Sequence, residues 1–123
     1  MPHFSPSSKR KLLECHADLQ VLCNEMIMIT DFTVLCGFRN EKDQNKAFED
    51  GHSKVKWPNS KHNQRPSKAV DLAPYPIDWN NLTRFKEFRK FVLQQAERLY
   101  KEGRMKHKIA VIEWDLPHFQ IVD

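Results

Sequence analysis

Asp71 stands between Val70 and Leu72 in the run "KAVDLAP". An ionised carboxylate taken out of water there needs a cation, several hydrogen-bond donors or a metal. A strand aspartate can also point outward at an edge, so this residue alone leaves both readings open. His62 lies nine positions upstream in the polar stretch "NSKHNQRPS", and His118 sits between Pro117 and Phe119 in "WDLPHFQIV". Each histidine alone is an ordinary loop or strand residue. Together, two imidazoles and one carboxylate make the ligand set that holds a catalytic zinc and leaves a fourth position for water. Asp115, three residues before His118, then becomes the candidate to take a proton from that water. Its plainer reading is a turn-capping aspartate. Glu113, inside a strand pattern, is the rival base.

The elements that must position these groups follow from periodicity. Ser5 and Pro6 open a helix, and Leu12, His16, Leu19, Cys23, Met26 and Thr30 recur every three or four residues, which predicts one amphipathic first helix. "DFTVLCGF", 31–38, predicts a buried strand because β-branched and aromatic residues dominate it. "NEKDQNKAFEDG" reads as a short polar helix closed by Gly51, and 53–63 as a loop. "KAVDLAP" is a second strand, ended by Pro74 and Pro76. Leu82, Phe85, Phe88, Val92, Ala96 and Leu99 share one helix face, with a stop at Gly103. "KIAVIEW" and "HFQIV" predict two strands around a "DLP" turn. The order α, β, α, β, α, β, β predicts an α+β domain, residues 1–123, with a small, mainly antiparallel sheet flanked by helices.

Composition bounds the function classes. Of 123 residues, 40% are hydrophobic and 29% charged, a globular balance that excludes intrinsic disorder. The net charge of +4 favours anionic partners, but the basic runs "KRK" and "RMKHK" are short and read first as solvated helix ends. No zinc-finger spacing or aromatic platform points to nucleic acid. Cys15, Cys23 and Cys36 are odd in number and lack CxxC spacing, so reduced, buried thiols of a cytosolic product are expected. The longest early apolar run, "MIMI", is too short for a signal core or a membrane span.

"SKHNQRPSKAVDLAPYP" followed far downstream by "DLPHF" resembles the zinc peptidases of bacterial cell-wall peptide stems. These are the D-Ala-D-Ala carboxypeptidases and phage L-alanyl-D-glutamate endopeptidases, which share a fold with the hedgehog signalling domain. "DFTVLCGFRNEKDQ" and "HADL" fit the same family, so the similarity runs from about Phe4 to Val122. The resemblance implies metal ligands at His62, Asp71 and His118, the general base at Asp115 and a substrate-polarising arginine at Arg39. Arginine suits that role as a permanent, forked cation that can hold a carbonyl oxygen as charge develops. Without the resemblance, Arg39 is a routine solvated strand-end residue. Gln44 and Ser60 match supporting, substrate-binding positions. The chain departs from the family in three places. His62 and Asp71 stand two residues further apart than in many relatives, "HFQ" replaces a common "HFE", and "GRMKHKIAVIEWDLPH" lacks a Trp-Gly-Gly-Asp-Trp stretch that borders the cleft. The last of these bears on substrate preference more than on zinc.

The expected function is zinc-dependent hydrolysis of an amide in the peptidoglycan stem, most readily the L-Ala to D-Glu bond, as a phage lysis enzyme. A carboxypeptidase needs a cation for the free C-terminal carboxylate, and only Arg39 is a clear candidate, so the endopeptidase is favoured. A D-Ala-D-Ala carboxypeptidase and a non-catalytic wall-binding module are the alternatives. The expected partner is the stem peptide, with no nucleic acid and no stable membrane insertion, and the chain is expected to be a monomer. It is expected in the cytoplasm of an infected host, reaching the wall through a separate lysis factor, with a virion-borne enzyme as the alternative.

Overall fold

In the computed structural model, which describes residues 2–123, four strands form one antiparallel sheet. They are β1 (Phe32–Cys36), β2 (Ala69–Pro74), β3 (Ile109–Ile112) and β4 (Asp115–Ile121), ordered β1-β2-β4-β3. The helices are α1 (Pro6–Leu13), α2 (Ala17–Met26), α3 (Glu41–Glu49) and α4 (Leu82–Lys101), with a short 3-10 turn at Lys61–Asn63. This is the α+β class expected from the order of elements.

Strand alternation resolves the position of Asp71. Val70 and Leu72 face the helices and join a core with Leu19, Leu22 and Met26 of α2, Val92 and Leu99 of α4, and Phe119 and Ile121 of β4. Each such aliphatic or aromatic side chain contributes about 1.5–3 kcal/mol on full burial. Because successive side chains point to opposite faces, Asp71 projects away from this core. Its strand partner there is His118.

Two expectations about the elements are corrected. The single first helix is two helices, because Glu14 O and His16 N bond to Ser67, just before β2, instead of continuing the helical ladder. Ser67 N donates to Glu14 O and His16 N donates to Ser67 O, both over 2.9 Å. His16 then caps α2, its Nδ1 accepting from Asp18 N at 3.0 Å. In the last hairpin the turn falls at Glu113–Trp114, and "DLP" opens β4 instead of forming the turn. Within α4, Phe85, Phe88, Val92, Ala96 and Leu99 are buried as the periodicity required, but Leu82 in the first turn is exposed.

Close packing of α1 against β1 explains one glycine. A Cβ on Gly37 would meet Lys11 O at 2.4 Å, so no larger residue fits there without moving the backbone. The carbonyl of Gly37 is thereby held where it meets His62.

Candidate metal centre and cleft

Three donors converge on the sheet face opposite the core. His62 Nε2 lies 3.1 Å from Asp71 Oδ1 and 3.3 Å from His118 Nδ1, and His118 Nδ1 lies 3.3 Å from the same carboxylate oxygen. β2 and β4 bring Asp71 and His118 as register partners, while the 3-10 turn delivers His62. Donors about 2.0–2.1 Å from a tetrahedral centre stand roughly 3.3 Å apart, so this set fits a zinc-type ion. The outward ring nitrogens are also bonded, His62 Nδ1 to Gly37 O at 2.8 Å and His118 Nε2 to Gln120 Oε1 at 2.8 Å. Such outer contacts fix which nitrogen faces inward.

Charge in the site is balanced internally. Burial works against the charged form of His62, yet hydrogen bonding and charge from Asp71, with a lesser influence of Cys36, raise its pKa. Burial likewise opposes the Asp71 carboxylate, but His118 and His62 hold it below the usual carboxylate range. A proton and a divalent cation are therefore alternatives for the same donors.

Arg39, just beyond β1, places Nη2 3.5 Å from Asp71 Oδ2 and donates through Nη1 to Gln44 Oε1 at 3.1 Å. Gln44 is fully buried and donates to Ser53 Oγ at 2.9 Å and Val55 O at 2.8 Å. Asn63 closes the network by donating to Gln44 Oε1 and to Arg39 O. Ser60 caps the 3-10 turn, its Oγ accepting from His62 N at 3.2 Å. Gln44 and Ser60 thus hold Arg39 and His62, and Ser60 and Arg39 also line a cleft of about 320 Å³.

Asp115 lines the same cleft and offers a carboxylate oxygen within 4.8 Å of donors from Asp71 and His118. Its carboxyl is raised above the usual value, first by burial and then by the negative charge of Asp71. Glu113 is exposed at the hairpin turn, outside this cluster.

Sequence reasoning passed over two residues. Arg89 of α4 donates through Nη2 to the carbonyls of Ile112 and Asp115, both at 2.8 Å, strapping the hairpin to the helix. Cys36 stands beside the donor set, its Sγ within 4.8 Å of donors from His62 and Asp71. The in-run position of Arg89 carries no signal of this contact. Cys36 could have been flagged by its place three residues before Arg39, at the end of the strand that leads to it.

An antiparallel sheet that presents a His–Asp–His donor set and a half-buried acid to a cleft is a hydrolase architecture. The chain belongs to the phage L-alanyl-D-glutamate peptidase family, whose model matches residues 2–122. It is thus a peptidoglycan-cleaving, endolysin-like peptidase, as the motifs implied. Its fold is similar to that of the L-Ala D-Glu endopeptidase ChiX of Serratia marcescens, with a TM-score of 0.74 and 21% identity over 97% of this chain and 89% of that one. No curated protein sequence matches it. Among the described residues, no helix is long and apolar enough to cross a membrane.

Proposed function

We propose that this chain is a zinc-dependent endopeptidase that cuts the L-Ala to D-Glu bond of the peptidoglycan stem during phage lysis. The observation that carries the metal is the convergence of His62, Asp71 and His118 within 3.3 Å of one another. When bound there, zinc lowers the pKa of a coordinated water toward ~7 and polarises a carbonyl.

The protein's own groups do the rest. Asp115 accepts the proton of the attacking water, a task suited to a carboxyl whose burial raises its basicity. It then returns that proton to the departing amine of D-Glu. Arg39 is held by Gln44 and donates to the scissile carbonyl oxygen as negative charge develops there. Ser60 keeps the turn that carries His62 in place and offers its polar edge to the stem. The chain acts as a monomer, released to the wall from the host cytoplasm by a separate lysis factor.

One observation favours a second reading. Lys54 lines the cleft, with its Nζ 4.8 Å from the ring centroid of Trp114, and is a cation that could hold a free C-terminal carboxylate. This suits a D-Ala-D-Ala carboxypeptidase. Incubating zinc-loaded protein with a defined muramyl pentapeptide, with and without chelator, separates the readings by mass. Chelator-sensitive release of a fragment beginning with D-Glu is expected. Release of D-Ala alone would select the carboxypeptidase, and binding without cleavage would select a wall-binding module.

A further inference from the structure

Cys36 reaches the metal centre through a backbone irregularity. Val34 pairs with Leu72 on the core face, and strict alternation would carry Cys36, two residues on, to that same face. A bulge between Val34 and Cys36 intervenes, so Cys36 pairs with Asp71 instead. Partners in an antiparallel pair point to the same side of a sheet, and bulges re-aim side chains beside active sites. Cys36, Asp71 and His118 therefore form one row across β1, β2 and β4.

The row puts a sulfur among hard and borderline donors. Cys36 Sγ, a nitrogen of His62 and an oxygen of Asp71 all lie within 4.8 Å of one another. The hydrogen-bond contact of the thiol is a long one, 3.7 Å to Gly37 O, so no strong interaction holds it elsewhere. It is also the partly exposed thiol of the three, since Cys15 and Cys23 are buried.

Resting on the zinc reading above, we propose that Cys36 is a fourth protein donor to the metal, closing the site in the resting enzyme and yielding to water when the stem peptide binds. Thiolate is a preferred ligand of zinc, and four protein ligands make a closed site whereas three leave it open. As the sulfur–metal bond forms, the thiol proton passes to solvent; when water displaces the sulfur, the released thiolate takes a proton back from solvent. No oxidant or reductant is involved. The arrangement would keep the hydrolase quiet until substrate enters the cleft.

Cobalt(II) substitution tests this directly. The chelated protein is reloaded with cobalt(II), and the near-ultraviolet thiolate-to-cobalt charge-transfer band is recorded for wild type, Cys36→Ser and Cys15→Ala. The band is expected in wild type and Cys15→Ala and absent in Cys36→Ser, whose zinc affinity should be weaker by roughly 10-fold or more, the scale seen on losing even an outer partner of a ligand. Alkylation of Cys36 by iodoacetamide in wild type, mapped by mass, should be slowed at least several-fold by zinc. Cobalt uptake without the band, or zinc-independent alkylation, overturns the proposal while leaving the three-donor site intact. Failure of wild type to take up either metal overturns both.

Discussion

His118 Nε2 donates to Gln120 Oε1 over 2.8 Å, two residues along the same face of β4. An amide oxygen can only accept, so this contact places the ring proton on Nε2 and turns the Nδ1 lone pair toward His62 and Asp71. Gln120→Leu should therefore weaken zinc binding by about 10–100-fold, the usual effect of losing such a partner. Gln120→Glu should bind at least as tightly, since a carboxylate makes the imidazole a better donor. Competition against a chromophoric chelator measures both. Wild-type affinity in Gln120→Leu would remove the amide from this role.

Asp115 and Glu113 lie two residues apart but in different settings. Asp115 reaches the donor cluster, while Glu113 is exposed at the turn. Asp115→Asn should keep one zinc and a native circular dichroism spectrum yet lower turnover by roughly 10²–10⁴-fold, as loss of a positioned general base does. Glu113→Gln should turn over like wild type. The reverse pattern would assign the base to Glu113.

Arg89 donates to backbone carbonyls on either side of the hairpin turn that precedes Asp115. Arg89→Met frees that turn from α4, and a displacement of about 1 Å at a reacting group can cost up to ~10²-fold in rate. The expected signature is a fall in kcat with zinc content and KM little changed. A rise in KM alone would mean that the hairpin serves binding rather than the position of Asp115.

The parts of the fold that local periodicity controls were legible in the sequence, and the parts that distant backbone pairing controls were not. The buried face of α4 from Phe85 to Leu99 follows from spacing alone, whereas the setting of Asp71, open in the sequence, is decided by its pairing with His118. The break between α1 and α2 depends on Ser67, far along the chain, which takes up the backbone groups of Glu14 and His16. A helical repeat cannot reveal that competition. Cys36, one of an odd number of cysteines with Cys15 and Cys23 and without CxxC spacing, reads as one more buried thiol, and the bulge that re-aims it toward Asp71 has no mark in "TVLCG". The donor types of His62, Asp71 and His118 were visible in the sequence, while the contacts of Gln120 and Gly37 that aim the two imidazoles, and those of Arg89 that hold the hairpin before Asp115, became visible only in three dimensions.

Asp18 belongs to a second cluster, with His16 and His107, that resembles a metal site by composition. Its Oδ2 already accepts from Lys106 N, His107 N and His107 Nδ1 at 3.0, 2.9 and 2.8 Å, and His16 Nδ1 accepts from Asp18 N. These bonds tie the start of α2 to the segment entering β3. Asp18→Ala should lower stability by at least about 1.5–3 kcal/mol, the contribution of a hydrogen bond to a charged group. Urea denaturation checks the loss, and zinc stoichiometry should stay at one per chain. A lower stoichiometry in this variant, with stability preserved, would make the cluster a metal site instead.

Metal uptake should be coupled to the proton on His62. Burial disfavours that proton, but contact with Asp71 overcomes the penalty and raises the ring's pKa in the metal-free chain. A raised pKa means that the pairing stabilises the metal-free fold fully below the unfolded value of about 6.5, with that stability lost as pH rises through the folded value. Asp71 has the opposite sign: its lowered pKa contributes stability above the unfolded value of about 3.9, lost only as pH falls through the folded one. Around neutrality Asp71 is therefore already ionised, and His62 is the group that must give up a proton to zinc. Exchange of one proton makes apparent zinc affinity rise about tenfold per pH unit until the raised value is reached. The gap in Tm between zinc-loaded and chelated protein should accordingly widen as pH rises from about 6 to about 8, with the chelated form gaining nothing from His62 over that range. Calorimetric zinc titrations in buffers of differing ionisation enthalpy should count about one proton released from the three donors, with any proton from the Cys36 thiol removed by using Cys36→Ser. Release of none in that variant would show that His62 is neutral before the metal arrives, and that Asp71 does not hold its proton in place.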